Sequence, residues 1–287
     1  VLETLRRVIP NDQLFHHSPA MDHHNKDNPK NKGDLLMMTS TGLPADLREY
    51  VDFSMIAQAE GLKFGIEHFR RRKPHCSGTL IWQLNDCWPV LSWAIMDYYG
   101  FGKAGYYYTR RVYDPVLASF KHLADGSVEL WITNDTLQPF EQPVSLHYGS
   151  FEAGTLWEET VTVAVRANAS QPVWRSSGEH APARPDRYLA VRSAAGAFSA
   201  NRTFFAATKD LQRKAVEPKV QVTAVSENEL RVHVEASAYV YFFHILLPDE
   251  QARFSDNFFD LAADETAEIT ITSPSALRPE SVTCAWR

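Results

Sequence analysis

A chain of 287 residues, 44% hydrophobic and 22% charged, has material for one barrel or for two to three smaller domains. Its net charge of −6 and lack of a basic stripe with interleaved aromatics give no reason to expect nucleic acid. No apolar run is long enough to cross a membrane as a helix. Cys76, Cys87 and Cys284 are odd in number and lack C-x-x-C spacing, which points to neither a disulfide framework nor a zinc site.

Taken in order, Leu2, Leu5 and Val8 have helical spacing, closed by Pro10. Residues 11–41 then read as a long polar stretch containing His16, His17, His23 and His24. Adjacent histidines do not converge on one ion in a helix, and no carboxylate–histidine framework is legible around them. The stretch is expected to be a surface loop near an active-site rim, without a metal. From Pro44, Leu47, Val51, Met55, Ala59, Leu62, Ile66 and Phe69 recur at three- and four-residue steps, the pattern of one long amphipathic helix. Asp46 caps it, Arg70–Lys73 complement its C-terminal dipole and Pro74 stops it.

Thr79, Leu80, Ile81 and Trp82 form a short apolar run without alternation, which suits a strand buried on both faces. Gln83, Asn85 and Asp86 follow at its carboxyl end, the end where barrels and open α/β sheets bind ligands. Trp82, Trp88 and Trp93 beside Asn85, Asp86 and Asp97 offer flat apolar rings and hydroxyl partners, the combination a sugar needs. Taken singly, each tryptophan serves equally well as a core residue. A second helix is expected over 103–113, ended by Asp114-Pro115.

After Pro115 the helical period disappears. Strands are expected at 116–121, 127–133, 142–148, 156–165, 187–192 and 197–205, with Asp125-Gly126 as a hairpin turn. A charged, strand-poor linker at 209–218 precedes further strands at 220–225, 229–235, 240–247, 265–272 and 281–286. This spacing implies an immunoglobulin-like β-sandwich followed by a second, smaller one.

Trp82-Gln83-Leu84-Asn85-Asp86, with Trp88-Pro89, Ser92-Trp93, Asp97-Tyr98, Gly100 and Lys103, resembles the end of the catalytic barrel in β-mannosidases of glycoside hydrolase family 2. The likeness reaches back through Glu67–Pro74 and forward to Tyr113 and Pro115, with an echo at Phe254–Leu261. It implies an α/β plus all-β chain. Residues 1–114 would be the terminal portion of a (β/α)8 TIM barrel, 115–210 an immunoglobulin-like sandwich and 211–287 a smaller one. It also implies a retaining exo-β-mannosidase acting on terminal β-linked mannose, with no cofactor. Such an enzyme needs two carboxyl groups about 5–5.5 Å apart. By the resemblance both catalytic glutamates lie upstream of Val1, so this chain is expected to be inactive without the N-terminal part of the enzyme. Trp82, Asn85, Asp86 and Trp88 are the expected substrate-binding residues, Trp82 as the platform under the sugar. The competing readings are a related glycosidase with another sugar specificity and a non-catalytic sandwich module. A pure sandwich module has no use for the helix–strand–helix segment at 44–113.

Overall fold

The computed structural model describes residues 2–287; Val1, where the first expected segment begins, lies outside them. The chain divides into two units, each described by itself: Leu62–Leu80 with Thr109–Lys214, and Val1–Gly61 with Ile81–Tyr108 and Ala215–Arg287.

The helices are α1 (Leu2–Val8), α2 (Pro19–His23), α3 (Lys32–Ser40), α4 (Leu47–Arg71) and α5 (Ala104–Val112). The long helix forms where its spacing places it. Asp46 accepts a hydrogen bond from the Glu49 backbone N–H at 2.8 Å, and the Glu49 carboxylate accepts one from Ala45 N–H at 2.8 Å, a reciprocal cap. Val51, Met55, Ala59 and Ile66 are buried as the stripe predicts, whereas Phe69 is exposed. Two short helices, α2 and α3, replace the expected loop. Ser18 caps α2 through the Met21 N–H, and α3 escaped notice because only Met37 of its apolar residues is buried, leaving no amphipathic period to read.

The strands are β1 (Val116–His122), β2 (Val128–Asn134), β3 (Phe140–Ser150), β4 (Gly154–Val165), β5 (Ala169–Arg175), β6 (Arg187–Ser193), β7 (Asn201–Phe204), β8 (Lys219–Ser226), β9 (Glu229–Glu235), β10 (Val240–Leu246), β11 (Arg253–Phe254), β12 (Phe259–Leu261), β13 (Thr266–Thr272) and β14 (Thr283–Ala285). In the unit holding Thr109–Lys214, sheets ordered β1-β2-β5 and β4-β3-β6-β7 bury Val128, Leu130 and Ile132 with Val144, Leu146, Val163 and Val191. That is the inward half of each alternating strand. Gly126, at φ 82°, turns β1 into β2. Gly149 is required beneath Tyr188, whose ring carbons a Cβ would approach to 2.3 Å. Strand β5 was not expected, since Pro172 interrupts its pattern; it sits where the β2–β5 register shifts, a bulge that tolerates proline.

In the same unit the end of α4 departs from a simple solvated helix terminus. Arg70 and Arg71 are buried. Arg70 donates to Val112 O at 2.5 Å and Asp135 Oδ2 at 2.8 Å, and Arg71 to Phe120 O at 3.0 Å. Buried Glu67 accepts from Asn201 at 2.7 Å and pairs with Lys63 at 2.8 Å. These cations hold the end of α5 and the strand β1 as well as complementing a dipole.

In the other unit, sheets ordered β11-β13-β9-β8 and β12-β10-β14 enclose Leu230, Val232, Val234, Val240, Ile245, Ile269 and Ile271. Strand β10 and its surroundings also meet the front half of α4. Tyr241 donates to Glu60 at 3.2 Å, and Arg287 Nε donates to buried Asp52 at 3.0 Å, with His244 3.8 Å from the same carboxylate.

The buried strand expected at Thr79–Trp82 is corrected. Residues 76–81 carry no secondary structure, Leu80 is fully exposed and Trp82 is 77% exposed. A parallel strand exists only through the backbone bonds of its neighbours, and no strand pairs with this stretch among the described residues.

Candidate functional site

Residues 82–103 form an irregular segment whose shape is set by side chains. Its backbone doubles back through Ile95 N–H to Gln83 O at 3.1 Å and Met96 N–H to Leu84 O at 2.8 Å. At its centre lies the Asp86 carboxylate, whose side chain has no solvent access. It accepts from Lys26 Nζ at 2.6 Å, from Gln83 Nε2 at 3.2 Å and from the Ser92 hydroxyl. Three of its roughly four acceptor positions are therefore filled, and a buried carboxylate is tolerable because it is paired and bonded. Asp97, also buried, accepts from the backbone N–H groups of Tyr99 at 3.0 Å and Phe101 at 2.9 Å and from the Thr4 hydroxyl. Between the two carboxylates lies Lys103, which donates to Ser92 O at 3.3 Å. Burial pushes its ammonium down to about 8, partly opposed by Asp86 and Asp97.

The loop before α3 is laced to this segment. Lys26 N–H donates to Leu91 O at 3.0 Å, Leu91 N–H to His24 O at 2.7 Å, and the His24 ring bonds Pro89 O at 2.6 Å. The rings of His23 and His24 both lie beside Trp88, with centroids at 5.8 and 5.1 Å. From α4, Gln58 donates to Trp93 O at 2.7 Å. Gln58, Trp93, Asp97, Lys103, Asn25 and Tyr50 help line a cleft of about 240 Å³.

Of the expected sugar-binding residues, Trp82 and Asn85 are exposed, Trp88 is half-buried and Asp86 is buried. None of the four lines that cleft. Sequence reasoning passed over Lys26 and named Ser92 only as part of a motif, without its bond to Asp86. Lys26 looked like one charge in a polar loop, and its proximity to Asp86, 60 positions away, has no local signal. The loop histidines also differ from expectation. His16 and His17 lie in a turn, not a helix, and the Asp22 and Asp34 carboxylates approach them.

Two family descriptions match the sandwiches: "Mannosidase Ig/CBM-like domain" over residues 126–210 and "Ig-fold domain" of mannosidases over 215–284. The β-mannosidase B of Aspergillus niger is 32% identical over 170 residues, covering 53% of this chain and 20% of that protein. That of Emericella nidulans is 29% identical over 211 residues, covering 67% and 25%. The β-D-mannosidase of Dictyoglomus thermophilum superposes on 100% of this chain and 36% of its own, with TM-score 0.87 and 26% identity. The chain resembles the β-mannosidases of glycoside hydrolase family 2 over its whole length. It corresponds to a C-terminal part of such an enzyme and spans about a fifth to a quarter of the curated relatives it matches. The Amycolatopsis orientalis exo-chitosanase CsxA shares the fold, at TM-score 0.73 and 15% identity over 100% of this chain and 40% of that one. The immunoglobulin-like domains of mannosidases are thus present in this chain.

Proposed function

We propose that this chain is the C-terminal part of a retaining exo-β-mannosidase that removes terminal β-linked mannose. Residues 1–114 form the closing portion of its TIM barrel, 115–210 and 211–287 its two sandwiches. The observation that carries this reading is the extent of the Dictyoglomus likeness. It covers all of this chain, including the residues before 126 that neither immunoglobulin-like description reaches.

Both catalytic glutamates are supplied by sequence outside this chain. In support, the candidate carboxylates within it are occupied. Glu60 accepts from Tyr241, Glu67 from Asn201 and Lys63, Asp86 from Lys26, and Asp97 from backbone amides. A retaining site needs one carboxylate free to attack and one able to exchange a proton. The chain's part is to bind: Trp82 as the face under the pyranose, Asn85 for hydroxyls and Trp88 as a wall. Asp86 anchors Lys26 and shapes the segment that carries them. Covering about 60 Å² of ring would be worth roughly 1.5 kcal/mol, or about tenfold in binding.

The test compares the 287-residue chain with its full-length parent on a chromogenic β-mannoside. The parent is expected to turn over, and the chain alone to show no hydrolysis above buffer, because groups that act as a unit lose nearly all catalysis together. Enzyme-like turnover by the chain alone would mean that it holds its own catalytic carboxylates.

A further inference from the structure

The turn before α2 assembles a donor set that the glycosidase reading does not use. His17 is held at both ring nitrogens: Nδ1 lies 3.1 Å from Asp22 Oδ1 and Nε2 lies 2.7 Å from Asp34 Oδ2. His16 Nε2 lies 3.1 Å from the other Asp34 oxygen. That nitrogen is shielded from solvent, and its contact with Asp34 is not aligned as a hydrogen bond. The two imidazoles stack with centroids 4.0 Å apart, and Tyr50 closes the other face of His16, also at 4.0 Å. One ring nitrogen from each of His16 and His17 and an Asp34 oxygen all fall within 4.8 Å of one another. His17 is the turn residue, at φ 60°. That conformation is uncommon for a side chain of its size, and here it lets two successive rings stack.

We propose that His16, His17 and Asp34 form a binding site for a divalent transition-metal ion of the zinc class, with Asp22 orienting His17. Imidazole nitrogens with a carboxylate suit zinc, cobalt and nickel rather than magnesium or calcium. Ligand bonds of about 2.0–2.2 Å at tetrahedral angles put donor atoms roughly 3.3 Å apart. The two contacts to Asp34 are close to that already. The remaining movement draws the two Nε2 atoms together, by a shift of the His16 ring in its slot between His17 and Tyr50. Asp22 on His17 Nδ1 is the carboxylate–histidine pairing that fixes which nitrogen faces a metal. A fourth position remains for water.

The test titrates the chelator-treated 287-residue chain with ZnCl₂ by calorimetry and with CoCl₂ by visible absorption. One ion per chain and a tetrahedral cobalt spectrum without a thiolate band are expected. His16→Gln, His17→Gln and Asp34→Asn should each weaken binding at least about 100-fold, and Asp22→Asn about 10- to 100-fold. Circular dichroism of each metal-free variant checks that it has folded. No saturable binding, or a thiolate band from the free cysteines, would overturn the proposal. So would affinity that survives in folded His16→Gln and Asp34→Asn. The stoichiometry and the cobalt spectrum, read on the unaltered chain, keep the test decisive if a variant fails to fold.

Discussion

In the sandwich of β1–β7, residue after residue exchanges backbone hydrogen bonds with a neighbouring strand, and β3 is paired along both edges by β4 and β6. The segment Ile81–Lys103 has few such bonds. It is held by Asp86, Asp97, Lys103 and their donors. The first region distributes its stability over a ladder and an apolar core, so any one residue carries a modest share. The second concentrates it in a few buried polar groups, where one deletion leaves a charge or a dipole without a partner. Irregular backbone can aim side chains outward, and this is how such backbone is fixed without a sheet.

Four substitutions bear on that contrast, from the largest effect to the smallest. Asp86→Ala should cost about 3–5 kcal/mol, since removing one member of a buried pair strands its donors. Hydrogen exchange should then rise across residues 82–94 while β3 stays protected, and uniform loss of protection would dissolve the distinction. Leu146→Ala, in the sandwich core, should cost about 2–4 kcal/mol by leaving a cavity. Denaturation should report the loss with exchange at residues 82–94 unchanged.

Lys103→Met sharpens the comparison through pH. The folded-state value is lowered to about 8 from 10.5. Between those two pH values the unfolded chain binds more protons than the folded one, so stability gained at Lys103 rises with pH across that window. Below about pH 8 both states are protonated, and the cost of burying the charge, about 3 kcal/mol, is felt in full. Melting temperatures of parent and variant, compared from pH 7 to 10.5, should show this rising contribution in the parent alone; parallel curves would mean Lys103 titrates normally. Trp82→Phe should change stability by less than about 1 kcal/mol, because the ring is 77% exposed. In the full-length parent it should lower kcat/KM several-fold at a nearly unchanged Tm, and an unchanged kcat/KM would remove Trp82 from the site.

How much of this was legible depended on whether a residue's partner was local. The helix α4, the Asp125-Gly126 turn and the alternation of Val128, Leu130 and Ile132 are written in spacing, and they fold as written. The run Thr79–Trp82 has strand composition, but a strand is a property of a pair, and apolar residues alone do not supply the partner. Strand β5 fails in the opposite sense: Pro172 argues against a ladder, yet a register shift accommodates it. Motif residues marked the candidate site, whereas the Lys26–Asp86 pair that shapes it joins distant positions. Arg70 and Arg71 read only as complements to a helix dipole, because side chains that are buried in pairs have the same spelling as those facing water.

The pairing of Asp52 with Arg287 has a consequence for synthesis. The two residues are 235 positions apart. At about 5–20 residues per second, Asp52 leaves the ribosome roughly 10 to 50 s before its arginine exists. Throughout that interval the front half of α4 has an apolar stripe and an acidic side chain awaiting cover by β10 and the residues after it. A nascent chain in that state is a natural client for a chaperone, and a stall late in translation would release a molecule whose first sandwich is complete while its long helix is still uncovered.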